Sequence, residues 1–344
     1  MYSFKNDYNQ TCHPNILKEL KNLENIQFDG YGLDDICDKA KEKIRKEIEN
    51  DSDIHFIAGG TLTNLIVISS ILRPYEAVIS CDSGHINVHE TGAIEAVGHK
   101  IITLKNDDGK LNANEVKKVF ENHFNDENAE HTVKPKMVYI SNPTEIGTIY
   151  TKKELKELYD VCKEYDAYLY LDGARLAYSF EAVNNDVYLK DYKNLVDVYY
   201  IGGTKCGALF GEALVINNEK LIKDFRYNIK QRGGMLAKGF ILGSQFNTLF
   251  SNNLYYEIGK YANDIAAYLS EELEKRNIKM LSKRVSNQLF LILDNKTITE
   301  LRKNYSFEKW QVIDDNNTAI RLCISWATDK DKVYEFLEDL DKIL

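Results

Sequence analysis

From Asp53 onward the chain alternates short apolar runs with helical patterns, and this rhythm restricts the fold more than any other feature of the sequence. Runs at 54–57, 77–80, 100–104, 137–141, 168–171, 196–201 and 212–216 have the length and composition of strands. Patterns at 65–72, 112–122, 151–165 and 219–230 read as helices between or after several of them, with Thr151 and Glu154 suited to a capping box. Parallel neighbours need a crossover long enough to hold a helix, so this order predicts a three-layer α/β unit with a mostly parallel sheet covered on both faces. A long helical stretch at 236–275 follows. Strand runs at 288–293 and 319–326, a helix near 297–303 and a last helix from Lys330 then predict a smaller C-terminal α/β unit. The expected division is an N-terminal arm and helix over 1–45, a large domain over 46–250 and a small domain over 251–344.

In an open parallel sheet, functional groups gather at the carboxyl ends of the strands. Asp172 ends the run 168–171, and Lys205 follows the run 196–201 within a nest of Gly202, Gly203 and Gly207. Small residues around a lysine suit a backbone that a bulky group approaches closely. A carboxylate and an amine at neighbouring strand ends match the needs of pyridoxal phosphate, whose ring nitrogen pairs with the acid and whose aldehyde forms a Schiff base with the lysine. Upstream, the turn 58–64 joins a strand to a buried helix. Its backbone N–H groups and the hydroxyls of Thr61 and Thr63 could seat a phosphate, although the same turn also serves as an ordinary connection. His85 and His89 would share a helix face, but no third ligand accompanies them and no metal is expected; one is read as catalytic or stacking and the other as a bystander. Arg321 interrupts an apolar strand, where an inward guanidinium usually meets an anion.

Composition narrows the partners. A net charge of −9 with no basic stripe argues against nucleic acid or an anionic membrane, and no apolar run reaches membrane-span length. Six cysteines without C-x-x-C spacing, and an N-terminus without an apolar signal segment, point to reduced thiols in the cytoplasm. Residues 1–30 are polar apart from the short helical pattern 16–23 and look like an arm packed on something else. Asp34 or Asp35 would cap an amphipathic helix bearing Ile36, Ala40, Ile44 and Ile48.

Together these pieces resemble the fold type I pyridoxal phosphate enzymes, and within them the threonine aldolase and β-eliminating lyase group, over essentially the whole chain. The matching segments are 31–35, 59–64, 83–85 with 90–92, 171–175, 203–205 and Arg321. The resemblance implies that Lys205 carries the cofactor, Asp172 holds the ring nitrogen protonated and His85 stacks on the ring. It implies further that Gly60, Thr61 and Thr204 contact the phosphate, joined by basic residues near Arg232. Arg175 and Arg321 would bind the carboxylate of an amino acid substrate, and Tyr31 would reach across the interface of a homodimer or homotetramer. Three positions depart from the family pattern. Asn6 stands where a serine is usual, Glu145 replaces a histidine, and the glycine-rich segment after Lys230 offers Arg232 or Lys238 around Leu236 in place of an arginine.

The implied reaction is retro-aldol cleavage of a β-hydroxy L-amino acid, threonine or allo-threonine, to glycine and an aldehyde. His85, a water that it positions, or Glu145 would serve as base. β-Elimination or transamination on the same frame is the nearer alternative, and a non-catalytic α/β binding protein the more distant one.

Overall fold

The computed structural model describes residues 1–344. Its centre is a seven-stranded sheet, with β1 Asp53–Ile57, β2 Glu76–Cys81, β3 Ile101–Leu104, β4 Lys134–Ser141, β5 Tyr168–Asp172, β6 Val198–Gly202 and β7 Glu212–Ile216. In space the order is β1-β7-β6-β5-β4-β2-β3. All pairings are parallel except those of β7, which runs against both β1 and β6.

Strand side chains alternate between two apolar layers, as the period of a pleated strand requires. Met137, Tyr139, Tyr170, Val198, Tyr200, Leu214 and Ile216 join one cluster with Ile66, Val67 and Ile68 of the helix Gly60–Ile71. Their sequence neighbours Val138, Ile140, Leu169, Leu171, Tyr199, Ile201, Ala213 and Val215 face the other, where Ala40, Ile44, Val116, Phe120, Leu155 and Leu158 pack. Both faces are therefore dry, and the predicted three-layer α/β architecture is present. Asp34 caps the helix Asp35–Ile48 through Cys37 N–H at 2.8 Å, and Thr151 with Glu154 forms the expected capping box.

A second, antiparallel sheet contains β8 Lys279–Met280, β9 Gln288–Asp294, β10 Glu308–Val312 and β11 Asn317–Cys323, in the order β10-β11-β9-β8. The helices Asn295–Leu301 and Lys330–Ile343 accompany it. No helix is long and apolar enough to cross a membrane.

Two helical expectations need correction. The stretch 236–275 is two helices, Phe240–Leu249 and Leu254–Lys275, because Asn252 and Asn253 take left-handed backbone conformations with φ of 53° and 59°. The stretch 219–230 likewise splits at Asp224, φ 61°, into a short 3₁₀ turn and the helix Phe225–Gln231. The arm also has a place on its own chain. Tyr2 and Ser3 pair with Tyr305 and Ser306, Phe4 is fully buried against Phe336, and Phe4 O accepts the N–H of Cys323 at 2.8 Å.

Candidate active site

The carboxyl edge of the sheet opens into a cleft of about 300 Å³. Asp172 lies on its floor. It follows Tyr170 by two residues on the same face of β5, so it points toward the helix Gly60–Ile71 rather than the opposite layer. Tyr139 donates to its Oδ2 at 2.6 Å, Asn64 Nδ2 approaches the same oxygen at 3.4 Å, and Ala174 N–H donates to Oδ1 at 3.0 Å. Burial pushes this carboxyl up, but His85 nearby and the hydrogen bonds from Tyr139, Tyr200 and Ala174 outweigh it and hold the group below the usual aspartate range.

Lys205 enters the same cleft from the loop after β6. That loop needs its glycines for close approach. A Cβ on Gly202 would lie 2.3 Å from Ala174 O, and one on Gly203 would lie 2.5 Å from Gly211 O. Tyr178 hydroxyl donates to Lys205 O at 2.6 Å and Tyr255 hydroxyl to Gly202 O at 2.9 Å, which pins the loop from below. Burial and the neighbouring Arg175 guanidinium hold the Lys205 amine below its ordinary range, against Asp7, Asp172 and Glu212. Beside it, Thr204 Oγ1 and Gly203 N–H both donate to Glu212 at 2.9 Å.

Gly60 and Thr61 begin the helix Gly60–Ile71 and line the cleft. A Cβ on Gly60 would come within 3.1 Å of Tyr200 hydroxyl, whereas nothing stands within 4 Å over Gly59. The N–H groups of Gly60, Thr61 and Leu62 in this first turn have no acceptor in the protein, as an anion seat requires.

His85 opens the short helix His85–Val88, and its backbone N–H donates to Glu145 Oε1 at 2.9 Å. Its Nδ1 lies 2.8 Å from Glu90 Oε1, an oxygen that also accepts from Asn64 Nδ2 at 2.7 Å. This contact puts the proton on Nδ1 and leaves Nε2 as the free ring nitrogen. Glu145 Oε1 also accepts from Ser141 Oγ at 2.7 Å. Burial, aided by Asp172, raises the Glu145 carboxyl above the usual glutamate range, against Ser141, its own backbone N–H and His85.

Arg175 lines the cleft with two of its N–H groups already spent on Asp7. Nε reaches Oδ2 at 2.6 Å and Nη2 reaches Oδ1 at 3.0 Å, and Asn287 Nδ2 supports Asp7 at 3.2 Å. Tyr8 lines the mouth, its ring 6.0 Å from Lys205 Nζ.

The structure does not gather every expected residue. Asn6 turns its side chain onto Tyr8 N–H at 3.1 Å and lies outside the cleft lining. Arg321 meets an anion, but that anion is Glu308 at 3.2 Å, with Trp310 stacked 5.3 Å from the guanidinium. Tyr31 and Arg232 also lie outside the cleft of their own chain. Tyr31 lines a separate small cavity with His55 and Arg226, under Lys230 Nζ at 4.5 Å, and Arg232 is exposed.

Sequence reasoning missed Asp7, Tyr8, Glu90, Tyr139 and Glu212 as site residues. Two of them carried a visible signal: Glu90 opens the matching segment 90–92, and Glu212 is an acidic residue heading an otherwise apolar strand. Glu212 was overlooked because an antiparallel strand brings its first residue, not its last, to this edge.

The family model for beta-eliminating lyases matches residues 24–296. A low specificity L-threonine aldolase of a Pseudomonas species is 29% identical over 317 residues, 91% of this chain and 90% of that protein. The structure of a Leishmania major threonine aldolase superposes with a TM-score of 0.97 at 46% identity, covering 100% of this chain and 99% of that one. A Thermus thermophilus aspartate aminotransferase, 13% identical with a TM-score of 0.72 and coverage of 100% and 92%, shares the fold alone. With the family model matched over most of its length and a 46% identical structure superposed on all of it, the chain belongs to the beta-eliminating lyase family.

Proposed function

We propose that this chain is a pyridoxal phosphate-dependent lyase that cleaves the Cα–Cβ bond of L-threonine or L-allo-threonine, releasing glycine and acetaldehyde. The observation that carries the reading is a hydrogen-bonded Asp172, held in its charged form, lining one cleft with a lysine of lowered proton affinity. The residues fit the cofactor. Asp172 can accept from the ring N–H, the open first turn at Gly60 and Thr61 with Thr204 can hold the phosphate, and Lys205 can bond the aldehyde carbon. The threonine aldolases of Pseudomonas and Leishmania major support the reaction class.

When bound, pyridoxal phosphate supplies an electron sink conjugated to the substrate α-carbon. Everything else falls to the chain. Arg175, fixed by Asp7, keeps further N–H donors for the substrate carboxylate, and Arg321 can join it by exchanging Glu308 for that carboxylate. Glu90 fixes the His85 ring, so that Nε2 can take the proton of the β-hydroxyl as the Cα–Cβ bond breaks. Glu145 holds the backbone of His85 and is the second candidate base.

Incubation with L-threonine and cofactor, followed by assays of glycine and acetaldehyde, tests the reaction. Faster release of an α-keto acid and ammonia from every β-hydroxy amino acid would instead assign β-elimination, the activity in the family's own description. His85→Asn is expected to lower kcat for cleavage by about 10²-fold or more, in the range of lost general-base catalysis, while cofactor affinity falls far less. An equal loss in both would give His85 a binding role only.

The active unit is a homo-oligomer in this reading. Tyr31 is 43% exposed and Arg232 is exposed on one chain, which supports roles in a neighbour's site. Mixing Lys205→Ala with Tyr31→Phe chains should restore activity in the hybrid, and no recovery in verified hybrids would mean that Tyr31 works in its own chain or does not matter. Six buried free cysteines support a cytoplasmic location.

A further inference from the structure

Glu212 is a buried carboxyl that the reaction above does not use. It lines the cleft beside Thr204 and Lys205, is 3% exposed, and heads the only strand that runs against the rest of the large sheet. Its Oε2 accepts Gly203 N–H at 2.9 Å and its Oε1 accepts the Thr204 hydroxyl at 2.9 Å. Thr204 Oγ1 in turn accepts Gly211 N–H at 2.9 Å.

A threonine hydroxyl has one hydrogen to give. While Glu212 is a carboxylate that hydrogen points at Oε1, and Thr204 has none for a phosphate. Oε2 is tied to an N–H donor, so an added proton belongs on Oε1, between it and Thr204. Glu212 then donates to Thr204 Oγ1, and the hydroxyl hydrogen turns free toward the cleft. The same proton removes a negative charge from the neighbourhood of the incoming phosphate.

We infer that Glu212 is a positioning residue that takes up a proton from solvent when the phosphate-bearing cofactor binds, and thereby makes Thr204 a donor to the phosphate. This rests on the cofactor reading given above. The groups around Glu212 are Lys205, Asp172, Tyr170, Tyr200, Tyr255 and Cys206. Among them, burial and Asp172 push the carboxyl up to about 8, against Gly203 N–H, Thr204 and Lys205. Protonated Glu212 is the binding form, so affinity is full below that value and lost above it.

The test uses 4′-deoxypyridoxine 5′-phosphate, which lacks the aldehyde and cannot bond to Lys205. Its phosphate loses its second proton near pH 6, below the window of interest. Apparent affinity scales with the competent fraction, so the wild-type Kd should weaken about tenfold between pH 7 and pH 9. Glu212→Gln, whose amide N–H can donate to Thr204 as the protonated acid does, should lose this tenfold step and keep only the pH dependence of the probe ring and Lys205. Calorimetry of the wild type at pH 8 in Tris and in HEPES should show uptake of about half a proton per site. Parallel pH profiles for the two proteins, weaker binding by Glu212→Gln at every pH, or no proton uptake would each overturn the inference. Should the variant not fold, the difference in proton uptake between this probe and 4-deoxypyridoxine, which carries the same ring without the phosphate, decides the matter. If the probe binds at no pH, the cofactor reading itself falls and takes this inference with it; binding without a proton removes this inference alone.

Discussion

Lys205→Ala protein is expected to cleave L-threonine at least about 10³-fold more slowly than the parent chain, with an unchanged circular dichroism spectrum. Lys205 is the only lysine lining the cleft, so no other side-chain amine can bond an aldehyde there. Burial and Arg175 hold its proton loosely, which leaves more of it in the nucleophilic neutral form at a given pH. A loss of about 10³-fold corresponds to about 4 kcal/mol of transition-state stabilisation. Single-turnover assays of glycine release would measure it. A variant that keeps a tenth of the parent rate would transfer the role away from Lys205.

The second large effect concerns stability. Asp7→Ala should destabilise the fold by about 3–5 kcal/mol, because it leaves the buried Arg175 guanidinium without its counter-ion. The Asp7 side chain is fully buried and that of Arg175 is 10% exposed, so water reaches the lost partner's place only from the cleft side. Urea denaturation followed at two wavelengths would read the change, and a loss below about 1 kcal/mol would mean that the pair is only a contact. The pH dependence has a definite sign. Burial raises the Asp7 carboxyl, but Arg175 and Lys205 outweigh it and hold it below its usual range. Its contribution is therefore complete above the unfolded aspartate value, near pH 4. It is lost as pH falls through the lower folded value, so the Asp7→Ala difference should shrink in acid.

Much of this was readable from local pattern. Asp172 and Lys205 announce themselves because a polar residue ending an apolar run has few structural reasons to be there, and the sheet rule says which edge it occupies. The seven strand runs were legible because both faces of the sheet are dry, so that each strand is a nearly continuous apolar run. Where the reading failed, the cause was either a single backbone rotation or a long-range contact. Asn252, Asn253 and Asp224 break helices by adopting positive φ, which a polar residue in a helical pattern does not advertise. Glu212 was masked by the reversed direction of β7. Asp7 could not have been found from spacing, since its partners Arg175 and Asn287 are distant in sequence and meet it only in the finished fold.

That distance has a consequence for synthesis. Asp7 is made well before Asn287 and the β11 strand that secures the arm through Cys323. The large sheet, whose last strand ends at Ile216, can condense as it emerges. All the residues that line its cleft lie between Tyr8 and Glu212, yet Asp7, the partner of Arg175 there, gains its Asn287 hydrogen bond and the arm its Cys323 anchor only after that sheet has been made. A chain cut between Ile216 and Asn287 should therefore keep every residue that lines the cleft but lack this last support of Asp7.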